Sequence, residues 1–217
     1  MNLTKLFDMQ EELDERIIKQ KGLEGKDLLP SRILALQVEL GELANEWRGF
    51  KFWSDDREPR TVAERGACKY CAGTGSIIPG AEGVPDCWAC NGEGEEIYNP
   101  LLEEYVDCLH FILSIGLSEY EKYEKYSVPI NYMFMDNEPI KEPNVTHQFN
   151  SLFLEVGILF DSLFDNAYSA NTVEDAYENL FRLFIGLGEM LGFTWEEIEQ
   201  AYIDKNQVNH ERQRSGY

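Results

Sequence analysis

For most of its length this chain places apolar residues at helical intervals. Leu3, Leu6, Phe7, Leu13, Ile17 and Ile18 recur every three or four positions and predict an amphipathic helix over 3–20. A polar, glycine-containing stretch follows and ends at Pro30. Ser31 is then the expected cap of a second helix running to about Phe50. The stretch 54–66 is charged and reads as loop, and 67–96 is dense in glycine and proline. Helical spacing returns at Asn99–Pro100, a capping residue followed by proline at the first helical position, and continues to about Tyr126. Residues 127–145 read as loop with an aromatic patch at Tyr132, Met133 and Phe134. Two apolar helices are expected over 147–167 and 172–191, and Thr194 with Glu197 forms a capping box for the last. No useful β-alternation lies outside 67–96. The expected fold is all-α, a bundle of about five or six helices. Residues 1–66 plus 97–217 would form the main domain and 67–96 an inserted module.

Two breaks in the apolar pattern carry chemistry. Glu39 and Glu42 in "VELGELANEW", and Glu104 and Asp107 in "LEEYVDCLHF", are i, i+3 pairs. Each pair lies on one helix face, among residues such as Leu36, Leu40, Leu43, Leu101, Leu109 and Ile112 that should face a core. Carboxylates on such a face cost several kcal/mol unless something offsets them. Mg²⁺, which prefers carboxylates plus phosphate oxygens, is the usual offset. The competing reading is two solvated acidic pairs on helix surfaces.

Charge narrows the choice. The chain has 40 acidic and 19 basic residues, a formal charge of −21, and 43% hydrophobic residues, enough for one sizeable core. So negative a surface repels a nucleic acid backbone, which argues against a DNA- or RNA-coating role. A nucleotide enzyme with this charge needs metal and a local basic cluster, and the last dozen residues supply one. No apolar run approaches a membrane span, and the acidic, amphipathic N-terminus lacks a signal-peptide layout, so a cytoplasmic location is expected.

Of five cysteines, four form two pairs, Cys68-x-x-Cys71 and Cys87-x-x-Cys90, and Cys108 stands alone. Two tight turns that each present two thiolates suit one tetrahedral Zn²⁺, closed and structural because no ligand position is left open. Each pair is followed by glycines, "CKYCAGTG" and "CWACNGEG", and the pattern resembles the zinc repeats of DnaJ-type chaperones. The insert is too short for its own core, so metal would supply its folding energy.

The runs "ALQVELGELANEWRGFKFWS", "LLEEYVDCLHFILSIGL" and "DKNQVNHERQRSGY" together closely resemble the dimeric, all-α dUTPases of the MazG-like nucleotide pyrophosphohydrolases. The resemblance covers the chain outside about 67–96. It implies hydrolysis of dUTP to dUMP and pyrophosphate, with dUDP as a second candidate substrate, a homodimer, and two or more Mg²⁺ per site. Glu39, Glu42, Glu104 and Asp107 match the family's metal ligands. Water would attack the α-phosphorus with Glu39 taking its proton, and Glu46, one turn beyond Glu42, is the rival base.

By the same resemblance Lys205, Asn206, Asn209, Arg212 and Tyr217 would hold phosphate and sugar, Lys51 would reach a phosphate, and Gln10 and Trp53 would recognise uracil. A carboxamide offers both donor and acceptor to a base edge, and an indole stacks on a flat base. The chain departs from the family in its cysteine insert and in Asp14, which stands where an Asn is expected. His110, Cys108 and His147 have no family role. Two other readings predict different behaviour: a related enzyme for another nucleotide such as dCTP, sharing the metal ligands, and a non-catalytic zinc-dependent scaffold that turns over no nucleotide.

Overall fold

The computed structural model describes residues 3–68, 70–76, 86–87, 90, 92–122, 138–164 and 172–216. Among these are six helices and one antiparallel pair of strands: α1 (Leu3–Lys21), α2 (Leu29–Trp47), β1 (Ala63–Ala67), β2 (Glu95–Tyr98), α3 (Pro100–Lys122), α4 (Val145–Phe164), α5 (Val173–Met190) and α6 (Trp195–Arg214). The fold is all-α with a small cysteine-bearing element. No helix among the described residues is long and apolar enough to cross a membrane. The expected aromatic patch at Tyr132, Met133 and Phe134 lies outside the described residues, as does Tyr217.

The chain divides into two compact units, Met1–Asn45 with Leu102–Tyr217, and Glu46–Leu101. In the first, the residues expected to face inward do so. Leu36, Leu40, Leu43, Leu109 and Ile112 are fully buried, each such side chain contributing roughly 1.5–3 kcal/mol. Helix α5 docks through aromatic side chains whose polar ends are satisfied. Tyr105 stacks on Phe184 with centroids 4.2 Å apart and donates to the Phe184 carbonyl at 3.1 Å. A Cβ at Gly188 would lie 2.5 Å from the Tyr105 hydroxyl, so glycine is what permits this approach. Tyr177 donates to the Ile112 carbonyl at 2.9 Å.

Several helix boundaries follow their local signals. Thr194 and Glu197 form the expected capping box, and Thr172 with Asp175 forms a second one at the start of α5. Helix α3 begins at Pro100. Helix α2, in contrast, starts at Leu29, not after Ser31: the Asp27 carboxylate accepts from the Leu29 N–H at 3.1 Å, and Pro30 sits in the first turn, where its missing N–H costs nothing.

In the second unit, β1 forms within a stretch whose charges read as loop. Ala63 pairs with Tyr98, Glu64 with Ile97 and Ala67 with Glu95, with a register irregularity between Glu64 and Ala67. Its exposed residues have no alternation to detect, so pairing with β2 defines the strand.

Candidate active site

Helices α2 and α3 bring three of the four predicted metal ligands together. Carboxylate oxygens of Glu39, Glu42 and Glu104 all lie within 4.8 Å of one another. An octahedral Mg²⁺ needs oxygens about 3–4 Å apart, so small side-chain adjustments would let this set embrace a cation. The carboxylates oppose one another without it. Burial first, then the charges of Asp107 and Glu42, raises Glu39 to about 7. Burial, then Asp107, Glu39 and Glu42, raises Glu104 to about 7 as well.

The fourth residue, Asp107, is engaged elsewhere. Its Oδ2 accepts from the Lys205 ammonium at 2.5 Å, and the same ammonium donates to Glu103 Oε1 at 2.8 Å. Burial nonetheless raises Asp107, against the pull of Lys205. Burial would depress Lys205, but the charges and hydrogen bonds of Asp107 and Glu103 outweigh it and hold the ammonium above its ordinary range. Glu103 carried no prediction. The signal that could have found it is its place four residues before Asp107, on the face that Lys205 meets.

The other tail residues divide by depth. Asn206 is buried and donates to the Met9 carbonyl at 3.3 Å, so it fastens α6 to α1. Asn209 Oδ1 lies 3.5 Å from an Arg212 guanidinium nitrogen at the exposed end of α6. Arg212 also lowers the pKa of Asp107, which places its charge in the field of the cluster.

Gln10 is buried, with its carboxamide used inside the bundle. Its Nε2 donates to Asp14 at 2.8 Å, and its Oε1 accepts from the Tyr202 hydroxyl at 2.8 Å and meets His110 Nδ1 at 2.7 Å. An ionised carboxylate only accepts, so Asp14 fixes which end of the amide faces it. His110 Nδ1 must then carry the proton, leaving Nε2 buried with no partner. Burial, followed by the Lys205 charge, pushes His110 down to about 3, so the ring is neutral. Asp14 also pairs with Arg32 at 3.2 Å and accepts from Ser114 at 2.5 Å. Asp107, His110, Ser114 and Ser118 thus form one polar stripe on α3, answered by Lys205, Gln10, Asp14 and Arg32. Single-residue motifs did not reveal this network. A cavity of about 670 Å³ opens beside Asp14 and Arg32, and none of the four predicted Mg²⁺ ligands lines it.

Glu46, Lys51, Trp53 and the cysteines belong to the second unit. Glu46 Oε1 pairs with Arg60 at 3.3 Å, while its Oε2 is buried without a partner. The Lys51 ammonium sits 5.6 Å from the Phe50 ring centre. Trp53 is 65% exposed and meets Phe50 and Phe52 edge-on, so core packing does not account for it.

The four paired cysteines are free thiols, buried together, with sulfurs all within 4.8 Å of one another. Cys68 and Cys87 sulfurs are 4.0 Å apart, and Cys71 and Cys90 sulfurs 3.7 Å. Sulfurs 2.3 Å from a tetrahedral zinc would be about 3.8 Å apart, so the donor set fits that ion. The Gly75 and Gly94 N–H groups each donate to a sulfur, of Cys71 and Cys90, at 3.3 Å. Both glycines adopt positive φ, and a Cβ at Gly75 would meet the Gly92 carbonyl oxygen at 2.2 Å.

A family model of dUTPases matches residues 2–64 and 88–217, which include every predicted Mg²⁺ ligand and the whole of α6. No curated protein matches the chain. The unmatched stretch, 65–87, holds three of the four paired cysteines, and the match resumes before Cys90. With an all-helical bundle, acidic pairs on two of its helices and a match over most of its length, this chain belongs to the all-α dUTPase family, whose activity is the hydrolysis of dUTP.

Proposed function

We propose that the chain hydrolyses dUTP to dUMP and pyrophosphate in a Mg²⁺-dependent reaction centred on Glu39, Glu42, Glu104 and Asp107. The observation that carries this reading is the convergence of Glu39, Glu42 and Glu104 oxygens at like-charge distances inside a family match. Two or more Mg²⁺ bound there would neutralise triphosphate charge and acidify water. Glu39, which converges with Glu42 and Glu104 where such a water would be held, is the carboxylate placed to take its proton. Water oxygen bonds to the α-phosphorus, the bond to the bridging oxygen of pyrophosphate breaks, and Glu39 accepts the water proton. Glu46 is the alternative base.

Lys205 and Arg212 supply positive charge for phosphate, Arg212 as a planar fork of donors. Asn209 serves the sugar, and Asn206 acts chiefly by fastening α6. Lys51, Trp53, Gln10 and Tyr217 keep the roles the resemblance implies, with Gln10 reaching a base only by exchanging an internal partner. One structural Zn²⁺ would bind Cys68, Cys71, Cys87 and Cys90, making 67–96 an inserted module within a catalytic domain of 1–66 and 97–217. Exposed Phe153, Leu154, Phe160 and Phe164 on α4 suit the apolar interface of a homodimer.

A second reading, hydrolysis of another nucleotide such as dCTP, is favoured by one observation: Asp14 commits the Gln10 carboxamide to an internal hydrogen bond. Pyrophosphate release from dUTP, dCTP, dTTP, UTP and dATP, with Mg²⁺ and with EDTA, separates the two. EDTA-sensitive preference for dUTP is expected. Faster turnover of another nucleotide would overturn the uracil assignment, and no turnover would leave the zinc-dependent scaffold.

A further inference from the structure

Lys205 occupies a position that neither helix periodicity nor the ligand pattern anticipates. Its ammonium bridges Glu103 and Asp107 on α3, at 2.8 and 2.5 Å, and its charge also acts on Glu39 and Glu104, whose oxygens lie within 4.8 Å of each other and of Glu42. The backbone that carries it is held on both sides. Tyr202, one turn earlier, donates to Gln10 Oε1 at 2.8 Å, and Asn206 donates to the Met9 carbonyl at 3.3 Å. Helix α6 is therefore anchored to α1, and Lys205 reaches α3 from it through a four-carbon stem. The side chain is 12% exposed and its partners Glu103 and Asp107 are 18% and 20% exposed, so the pair is dry enough for its charges to act strongly but open enough to exchange partners.

We propose that Lys205 is a charge placeholder: in the nucleotide-free, metal-free protein it neutralises Asp107 and excludes a cation from it, and metal entry hands Asp107 over and releases Lys205 to the triphosphate. This rests on the reading that the carboxylate cluster holds divalent metal. The physical reason is that one carboxylate cannot hold an ammonium at 2.5 Å and a divalent cation in the same oxygen plane without repulsion between the two cations. Metal binding therefore costs the Lys205–Asp107 pair, and phosphate, arriving with the metal, gives the displaced ammonium a new partner. Metal and nucleotide would bind with positive coupling, because each removes what opposes the other.

The proposal predicts opposite effects on two affinities. Lys205→Met keeps the length of the stem and removes the charge. Mn²⁺ binding to the nucleotide-free protein, followed calorimetrically, should tighten about tenfold, while binding of non-hydrolysable α,β-imido-dUTP in the presence of Mn²⁺ should weaken about tenfold or more. Lys205→Arg, which keeps the charge, should restore Mn²⁺ affinity to near that of the unaltered protein. Unchanged or weaker Mn²⁺ binding in a folded Lys205→Met protein would overturn the placeholder role. Amine labelling of Lys205 in the unaltered protein gives a test independent of any variant. Slow labelling alone, faster labelling with Mn²⁺, and slow labelling again with Mn²⁺ plus the analogue are expected, and a Mn²⁺-independent rate would overturn the exchange. If the unaltered protein binds no Mn²⁺ that Glu104→Gln abolishes, the metal reading itself fails, which is a distinct result.

Discussion

The two ligand clusters of this molecule are built on opposite principles. The four cysteines approach a tetrahedron, with sulfur separations of 3.7 and 4.0 Å and backbone N–H groups already aimed at two of the sulfurs. Every part of that arrangement favours one closed state. The carboxylate cluster is assembled against its own electrostatics. Glu39 and Glu104 are raised to about 7 by burial and then by neighbouring carboxylates, Asp107 foremost, and Asp107 itself holds a lysine. A site that satisfies itself suits structure; under the proposed function, carboxylates that repel one another would gain most when metal and triphosphate arrive together. The bundle supplies the energy for holding acids together, through fully buried Leu36, Leu40, Leu43, Leu109 and Ile112 on the same two helices.

The sharpest way to break this contrast is to neutralise one acid. Glu104→Gln should lower turnover of dUTP by at least about a thousandfold, since a neutral amide neither holds a divalent cation well nor completes the set. Its circular dichroism and melting temperature should equal or exceed those of the unaltered protein, because a repulsion has been removed. Near-normal turnover would show that this cluster is not the working site.

Removal of zinc should act on the other side of the comparison. A chelator, or Cys87→Ser, should abolish hydrogen-exchange protection of the β1–β2 pairing and leave the helical signal largely intact, because the proposed zinc would supply the folding energy that a short segment without its own core lacks. Collapse of the whole helical melt in either case would make the module integral to the bundle.

The smallest expected effect is a pH dependence in EDTA. Glu39 and Glu104 have folded-state values near 7 against an ordinary 4.5. The folded protein therefore binds more protons than the unfolded chain between those values, and stability falls as pH rises through that window and levels off above it. Urea midpoints at pH 5.5 and pH 8 should differ more for the unaltered protein than for Glu39→Gln/Glu104→Gln. Equal differences would mean that the acids are not in conflict.

Local chemistry made several elements legible in advance. The capping box at Thr194 and Glu197, the proline at the start of α3 and the apolar spacing of α2 are signals read within a few residues. Strand β1 carries no such signal, because it is charged and largely exposed and only its partner makes it a strand. Helix α2 begins three residues before the position a Ser31 cap predicts, because the Asp27 side chain accepts from the Leu29 N–H ahead of Pro30. Within the candidate site, Glu39, Glu42 and Glu104 were visible as i, i+3 acids. Their approach to one another was not, since Glu39 and Glu42 lie on α2 and Glu104 on α3, far apart along the chain.

What the amino-acid sequence determined by itself is local: helix positions and most of their ends, the inward faces, the two acidic pairs and the two cysteine turns. These depend on residue spacing and short-range hydrogen bonds. The tertiary structure decided which charges meet. It gave Asp107 to Lys205, enclosed Gln10 among Asp14, Tyr202 and His110, left Trp53 exposed and set four sulfurs at metal-binding distances. The physical reason is that Coulomb energy and desolvation depend on distance and burial in space, and a linear pattern specifies neither for residues that lie far apart along the chain.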